Sequence, residues 1–254
     1  MPYVLMYHDV VYLDSAGTSG FRNSAADSYK VDPADFDRHL DAIADTGRQV
    51  GLCLPGRPLP EVAITFDDGG ASSLRAADAL ERRGWRGHFF VTTAQVGQSG
   101  FLDHQGVREL ADRGHAIGSH SHTHPTYFGR LSREELDREW TESGAMLGEL
   151  LGSRPPTASI PGGFLSDEAI ESAAAAGYEV LMTSEPSSRA RTAAGITVLG
   201  RYAIRSRTSA ETVAAYARGA RGPRARMWLE WNAKQRAKRI SPRAFEALRT
   251  RLPG

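Results

Sequence analysis

Cysteine is nearly absent: Cys53 stands alone among 254 residues. A lone thiol makes no internal disulfide, so no oxidising compartment is required, and a structural zinc site built on several cysteines is excluded. Long apolar runs are missing too. No stretch approaches the roughly 20 residues of a membrane-spanning helix. The opening MPYVLMYHDV has no basic leader ahead of its short apolar run, which gives the expectation of a soluble, cytoplasmic protein. There is no internal repeat and no low-complexity tract. Net charge is close to nil, +1 from 31 Lys/Arg against 30 Asp/Glu, but it is unevenly spread: residues 218–254 hold eleven Lys/Arg against Glu230 and Glu246 alone. That stretch reads as a separate basic helical extension, suited to peripheral contact with an anionic surface or to packing Trp228 and Trp231 on the rest of the protein; packing is the expectation. Beyond its charge, no motif points to nucleic acid.

What is present is globular. A composition 41% hydrophobic and 24% charged excludes a disordered or collagen-like chain. Strand-like runs alternate with helical patterns throughout. Strands are read at 3–7, 61–66, 88–92, 115–118, 157–160, 178–182 and 196–199. Helices are read from Asp35 after Pro33, and at 72–83, 104–113, 132–151, 166–176, 208–218, 223–238 and 242–250. Residues 14–30, rich in Ser, Gly, Ala and Asp, read as a long loop expected to close over a ligand. Alternation of this kind argues for parallel βαβ units. The expected fold is α/β, a distorted (β/α) barrel of about seven parallel strands, single-domain over 1–217 with the helical extension over 218–254.

The polar clusters share one position. Asp67-Asp68, His120-Ser121-His122-Thr123-His124 and Pro161-Gly162-Gly163 all follow the carboxyl end of an expected strand, the face that carries active sites in α/β barrels. Two adjacent carboxylates before a Gly-Gly turn read either as one metal ligand and one free base or as a plain polar turn, Asp-Gly being a common turn pair. His120 and His124 are four apart, so one helical turn would set both on one face, with His122 pointing elsewhere. Two imidazoles and a carboxylate fill three positions of a tetrahedral metal site and leave the fourth for water.

TFDDGG (65–70) and HSHTHP (120–125), together with GHAIGSH (114–120) and LMYHDV (5–10), resemble the signature motifs of the polysaccharide deacetylases, carbohydrate esterase family four, of the chitooligosaccharide deacetylase type. The similarity runs from about Val4 to about Arg205. The resemblance implies a distorted barrel, a divalent metal, usually zinc with cobalt, nickel or iron as alternatives, and hydrolysis of a sugar N-acetyl group. By motif, Asp67 is the general base, Asp68, His120 and His124 are the metal ligands, and Ser121 supports the histidine loop. Such a metal lowers the pKa of its bound water and polarises the acetyl carbonyl. The backbone N–H of Gly69, or of the residue after it, is the expected oxyanion donor.

The sequence departs from the family at three places. The third motif keeps Pro161, Gly162 and Gly163, expected to line the substrate, but lacks the arginine that precedes the proline and orients the base; Arg154, upstream, reads as solvated. The stretch Met182-Thr183-Ser184-Glu185-Pro186 replaces the fourth motif, and Glu185 and Arg201, near strand ends, are candidate substrate contacts. The late strand leads to Gly200-Arg201-Tyr202 with no histidine, so the family's general acid is missing from its place. His8, closing the first strand on the same face, takes that role in this reading, while His104 and His115 fall outside the site. The expected function is a metal-dependent N-deacetylase acting through metal-bound water on a saccharide, a lipid- or nucleotide-linked sugar, or a small aminosugar. The alternatives are a catalytically silent metal- or carbohydrate-binding module, or a hydrolase of cyclic imides or formamides on the same scaffold.

Overall fold

Short apolar runs become strands, and the amphipathic stretches between them become helices. The computed structural model describes residues 1–240. In chain order it holds β1 (Tyr3–Tyr7), α1 (Ser24–Asp27), α2 (Pro33–Ala44), β2 (Val62–Phe66), α3 (Ser73–Glu81), β3 (His88–Val91), α4 (His104–Asp112), β4 (Ala116–Ser119), α5 (Arg133–Leu151), β5 (Thr157–Ser159), α6 (Asp167–Ala175), β6 (Val180–Met182), β7 (Arg191–Ala193), β8 (Ile196–Leu199), β9 (Tyr202–Ala203), α7 (Ala210–Arg218) and α8 (Arg221–Ile240). The helix expected at 242–250 lies outside the described residues. Helix starts follow capping chemistry. Asp32 accepts from the Ala34 N–H ahead of Pro33, and Ser132 and Glu135 form a reciprocal capping box on α5.

The strands form one sheet in the order β7-β8-β6-β5-β4-β3-β2-β1-β9. All described pairs are parallel except β7 with β8. The sheet therefore has nine strands rather than about seven. The two unforeseen strands are very short, and β7–β8 is a hairpin turned by Ala194 and Gly195, both at positive φ; a two-residue turn of that type favours Asn-Gly, so the Ala-Gly pair gave little signal. Residues 14–30 are also more ordered than a plain loop, holding a 3₁₀ turn at Leu13–Thr18 and the four-residue α1.

Strand alternation builds three clusters, two on the outer face of the sheet and one on the inner. Outward residues of the sheet, Leu5, Tyr7, Ile64, Phe66 and Phe89 among them, pack against Phe36, Leu40 and Ile43 of α2 and Ala76 and Leu80 of α3. A second outward cluster joins Trp140 of α5 and Ile170 of α6 to Ala158, Leu181 and Val198. Inward residues form a small cluster of Val4, Ala63, Phe90, Val180, Met182, Leu199 and Cys53. Val4 and Leu199 share it although their strands stand near opposite ends of the sheet, so the sheet curls into a barrel. Three residues carry the chain from Leu199 in β8 to Tyr202 in β9 at the far edge, a span of at most about 11 Å. The seam of the barrel therefore lies at Gly200-Arg201. Gly118 faces this crowded interior, where a β-carbon would fall 2.5 Å from the Phe90 ring.

Candidate active site

The same inward alternation, continued one step past each strand, delivers the polar residues. Val4 leads to His8, Ala63 through Thr65 to Asp67, Gly118 to His120, Thr157 to Ser159, and Leu199 to Arg201. All stand at carboxyl ends of parallel strands, around one mouth.

Asp68 follows Asp67 and by alternation alone would face outward. Its backbone is left-handed, φ 76°, a conformation that Asp tolerates better than most residues, and this turns its carboxylate back toward the mouth. His120 and His124 are not on a helix, contrary to the helical-turn expectation. Residues 120–124 form an irregular turn with Ser121 at φ 65° and His124 at φ 60°. That turn still brings both rings to Asp68: His120 Nε2 lies 3.4 Å and His124 Nε2 3.5 Å from Asp68 Oδ1. One ligand atom from each of the three residues lies within 4.8 Å of the others.

The protonation pattern suits a cation. His120 Nδ1 lies 3.2 Å from the Ser159 carbonyl oxygen and 2.6 Å from its hydroxyl. A carbonyl only accepts, so Nδ1 donates, and the Nε2 lone pair of a neutral His120 faces the carboxylate of Asp68. A ring held by its second nitrogen is how metal-ligating histidines are oriented. Burial lowers the pKa of His124 despite the nearby Asp68 carboxylate, which favours the neutral form that ligates. Burial alone would raise Asp68, but with the neighbouring rings protonated the His120 hydrogen bond and the charges of His8, His124 and His120 outweigh it and hold the carboxyl below its ordinary range.

The turn is braced from α5. Glu139 accepts from the backbone N–H groups of His122 and Thr123, both at 2.8 Å, and from the Thr123 hydroxyl at 2.5 Å. The Ser121 hydroxyl accepts the His124 N–H. His122 turns away, 2.9 Å from Thr93 Oγ1 and 3.5 Å from Glu142.

Asp67 is held from the opposite side. Arg201, fully buried, donates to Oδ1 at 2.6 Å and to Oδ2 at 2.7 Å. It also donates to Thr65 Oγ1 and the Thr183 carbonyl, and its guanidinium lies 5.6 Å from the Phe90 ring. Burial pushes the Asp67 pKa up; the Arg201 charge, with His120 and His8, overrides this and leaves it lowered. Arg201 is thus no substrate contact in this structure but the partner of Asp67. It holds Asp67 from another strand than the one on which the third-motif arginine was expected, while Ser159, two residues before Pro161, donates to Asp67 Oδ1 at 3.3 Å. Arg154 is exposed and bonds the Ala176 carbonyl.

The remaining candidates are placed as follows. His8 is half-buried, its ring 4.5 Å from that of Tyr29, and its charge is felt at Asp67, Asp68 and His124. Its Nδ1 is buried without a hydrogen-bond partner. Gly69 packs on Val91. Pro161 is buried, and Gly163 packs on Ser184 and accepts from Gln235. Glu185 contributes backbone: its carbonyl accepts the Arg201 N–H at 2.8 Å. His104 opens α4 and is exposed, and His115, ahead of β4, bonds Glu81 and Gly87.

Residues 14–30 form a fixed wall. The Gly20 N–H donates to the Gly100 carbonyl at 2.7 Å, and Asp9 accepts from Ser19 and Ser72 at 2.5 and 2.8 Å. A β-carbon on Gly20 or Gly70 would fall 2.1 Å from an Asp9 oxygen, so this clasp needs both glycines. The wall sets Phe21 4.9 Å from the His124 ring. Phe21, Tyr29, Glu139 and Ser159 carried no motif; the one sequence signal for Ser159 was its place before Pro161.

Fold and site together define a curled (β/α) barrel with a carboxylate–imidazole donor set and an arginine-held carboxylate at the strand carboxyl ends. Comparison with known proteins gives the family: residues 56–181 match the polysaccharide deacetylase family model, and this segment belongs to that family. The chain is 25% identical over 198 residues to the putative polysaccharide deacetylase YxkH of Bacillus subtilis, covering 74% of this chain and 66% of that protein. It is 29% identical over 125 residues to a peptidoglycan-N-acetylglucosamine deacetylase of Bacillus cereus, covering 48% and 56%. The matches thus span less than two thirds of either relative. Among solved structures, a polysaccharide deacetylase from Bacillus cereus superposes with TM-score 0.72 at 19% identity, over 85% of this chain and 68% of that one. IcaB from Ammonifex degensii does so with TM-score 0.66 at 23% identity, over 85% and 97%. These structural likenesses establish the fold.

Proposed function

We propose that the protein is a metal-dependent hydrolase that removes the N-acetyl group of an amino sugar within a saccharide. The observation that carries this reading is the pairing of Asp67, ionised by its two bonds to Arg201, with the Asp68-His120-His124 donor set next to it. Those three residues would hold the ion, and three nitrogen and oxygen donors with an open position suit zinc. When bound, it supplies a Lewis acid for the acetamide carbonyl and for the attacking water.

The protein's own residues carry the proton chemistry. Asp67 accepts the proton of the attacking water; its carboxylate is kept charged and fixed in direction by Arg201 and Ser159. His8 is assigned the general acid that protonates the departing amine. Its Nδ1 is sealed from solvent, leaving Nε2 to meet that nitrogen. The Gly69 N–H is assigned to the developing oxyanion, and the Pro161-Gly162-Gly163 turn to the far wall of the substrate cleft. Sugar as the substrate class is supported by relatives named for peptidoglycan N-acetylglucosamine deacetylation.

The test is acetate release from N-acetylated oligosaccharides and from lipid-linked and nucleotide-linked acetamido sugars, by zinc-loaded wild type and Asp67→Asn, with metal content measured in both. Release by the wild type, lost in the variant at equal metal content, is the expected result. Metal bound in both with no release from any acetamido sugar would overturn the reading.

A further inference from the structure

The basic extension splits into two faces once α8 is seen in place. Its inner face is anchored. Met227 packs on the main core. Arg224 donates to the Tyr202 hydroxyl at 2.8 Å, to Ser188 at 2.9 Å and to the Gly219 carbonyl at 3.1 Å, and Gln235 donates to the Gly163 carbonyl at 3.1 Å. These contacts fix the rotation of the helix. Trp231 is half-buried on this inner side, as packing of the aromatics required. Trp228 is not: it is 48% exposed, and its neighbour Leu229 is 61% exposed, which corrects the expectation that both tryptophans pack.

Arg221, Ala225, Trp228, Leu229 and Arg236 are all exposed. At 100° per residue they fall within an arc of about 100° on one side of the helix. The result is an outward stripe with an arginine at each end and an indole and a leucine in the middle. The whole of α8 carries seven Lys/Arg, with Glu230 its only acid, and Glu230 is engaged by Arg226 at 3.0 Å, one turn away. No helix among the described residues is long and apolar enough to cross a membrane.

We propose that the outward stripe of α8 seats on an anionic phospholipid surface. The positive charge selects a negative partner, and the exposed Trp228 and Leu229 select one that also offers an apolar phase, which a soluble polyanion does not. Tryptophan is at home at that boundary, with its ring in the acyl layer and its N–H at the headgroups. Because the same helix bonds the Gly163 turn, seating it would fix the tilt of the candidate cleft against the lipid surface.

The experiment is co-sedimentation of the full chain with vesicles of phosphatidylcholine alone and of phosphatidylcholine containing a quarter phosphatidylglycerol, at low and high salt. Binding to the anionic vesicles, weakened by salt, is expected. Trp228→Ala/Leu229→Ala and, separately, Arg221→Gln/Arg236→Gln should each weaken it on the order of ten-fold, with melting temperature unchanged because all four positions are exposed. Trp228→Phe should bind while losing most of the blue shift in tryptophan emission. Equal binding to neutral vesicles, no binding, or binding untouched by both double variants would overturn the proposal. So would a dimer in solution that the Trp228→Ala/Leu229→Ala variant dissolves, which would assign the stripe to a second copy of the chain.

Discussion

Asp67 and Asp68 are adjacent in the chain, yet opposite halves of the barrel hold them. Asp68 belongs to a half centred on one turn, the turn that carries both its partners, His120 and His124, and that Glu139, 16 and 17 residues beyond the groups it binds, braces from α5. Asp67 belongs to a half assembled across the fold, with Ser159 lying 92 residues away and Arg201 134 residues away. The half with the candidate donor set thus depends on one braced turn set against Asp68. The base-holding half exists only when the barrel curls and its seam brings the β8–β9 junction beside β2. The halves meet at Ser159, which bonds both His120 and Asp67, but their main anchors, Glu139 and Arg201, are separate and should fail separately.

The largest effect is expected from breaking the first half at its centre. Asp68→Asn removes one of three ligands, and zinc affinity by calorimetry should fall by more than about 100-fold, taking hydrolysis with it. Unchanged affinity would show that the ion sits elsewhere.

The second half should fail as a stability effect. Arg201→Ala leaves the buried Asp67 carboxylate unpaired, at a cost of about 3–5 kcal/mol in urea unfolding. Adding Asp67→Asn removes the stranded charge, so the double variant should recover part of the loss. If the two costs simply add, the ion pair is not what holds this half together.

A smaller effect separates the brace from the ligands. Glu139→Ala should lower zinc affinity about 10–100-fold, as loss of outer-shell partners does. Glu139→Gln, which keeps an acceptor for both backbone N–H groups, should stay near wild type. A Gln variant as weak as the Ala variant would mean that the charge, not the hydrogen bonding, matters.

A pH effect belongs to neither half. His39, His88 and His115 are buried, and desolvation lowers their pKa values, His88 to about 3. The unfolded chain binds protons at these histidines below about pH 6.5 while the fold does not. Stability is therefore highest above that pH and is lost as pH falls toward 5, by up to about 1.4 kcal/mol per pH unit for each histidine that stays neutral. A urea midpoint that is flat between pH 7.5 and 5 would contradict this.

The comparison also marks what was legible in the sequence. Asp67-Asp68 and the histidine pentapeptide were readable because their chemistry is contiguous and each follows a strand. His8 was readable because it ends the first strand, and alternation from Val4 sets it on the inner face. The geometry of His120 and His124 was not, because four-residue spacing suggests a helix and the chain reaches the same result through left-handed residues at Ser121 and His124. The role of Arg201 was hidden for a topological reason. Its inward parity with Leu199 was present, but nothing local states that the sheet curls until β8 and β1 share one interior. Trp228 was misread because a helical pattern gives the faces of α8 without saying which one meets the barrel.

The central claim is that Arg201 replaces, from across the seam, the arginine missing from the third motif. The most direct test is Arg201→Lys, which keeps the charge but cannot grip both oxygens of Asp67. It should be measured as kcat/KM against pH for acetate release, with zinc content determined on the same samples. The account predicts full zinc occupancy, a rate lowered on the order of 100-fold, and an acid limb displaced to higher pH, because a more loosely paired Asp67 takes up its proton sooner. Wild-type rate and an unmoved acid limb at full occupancy would contradict it.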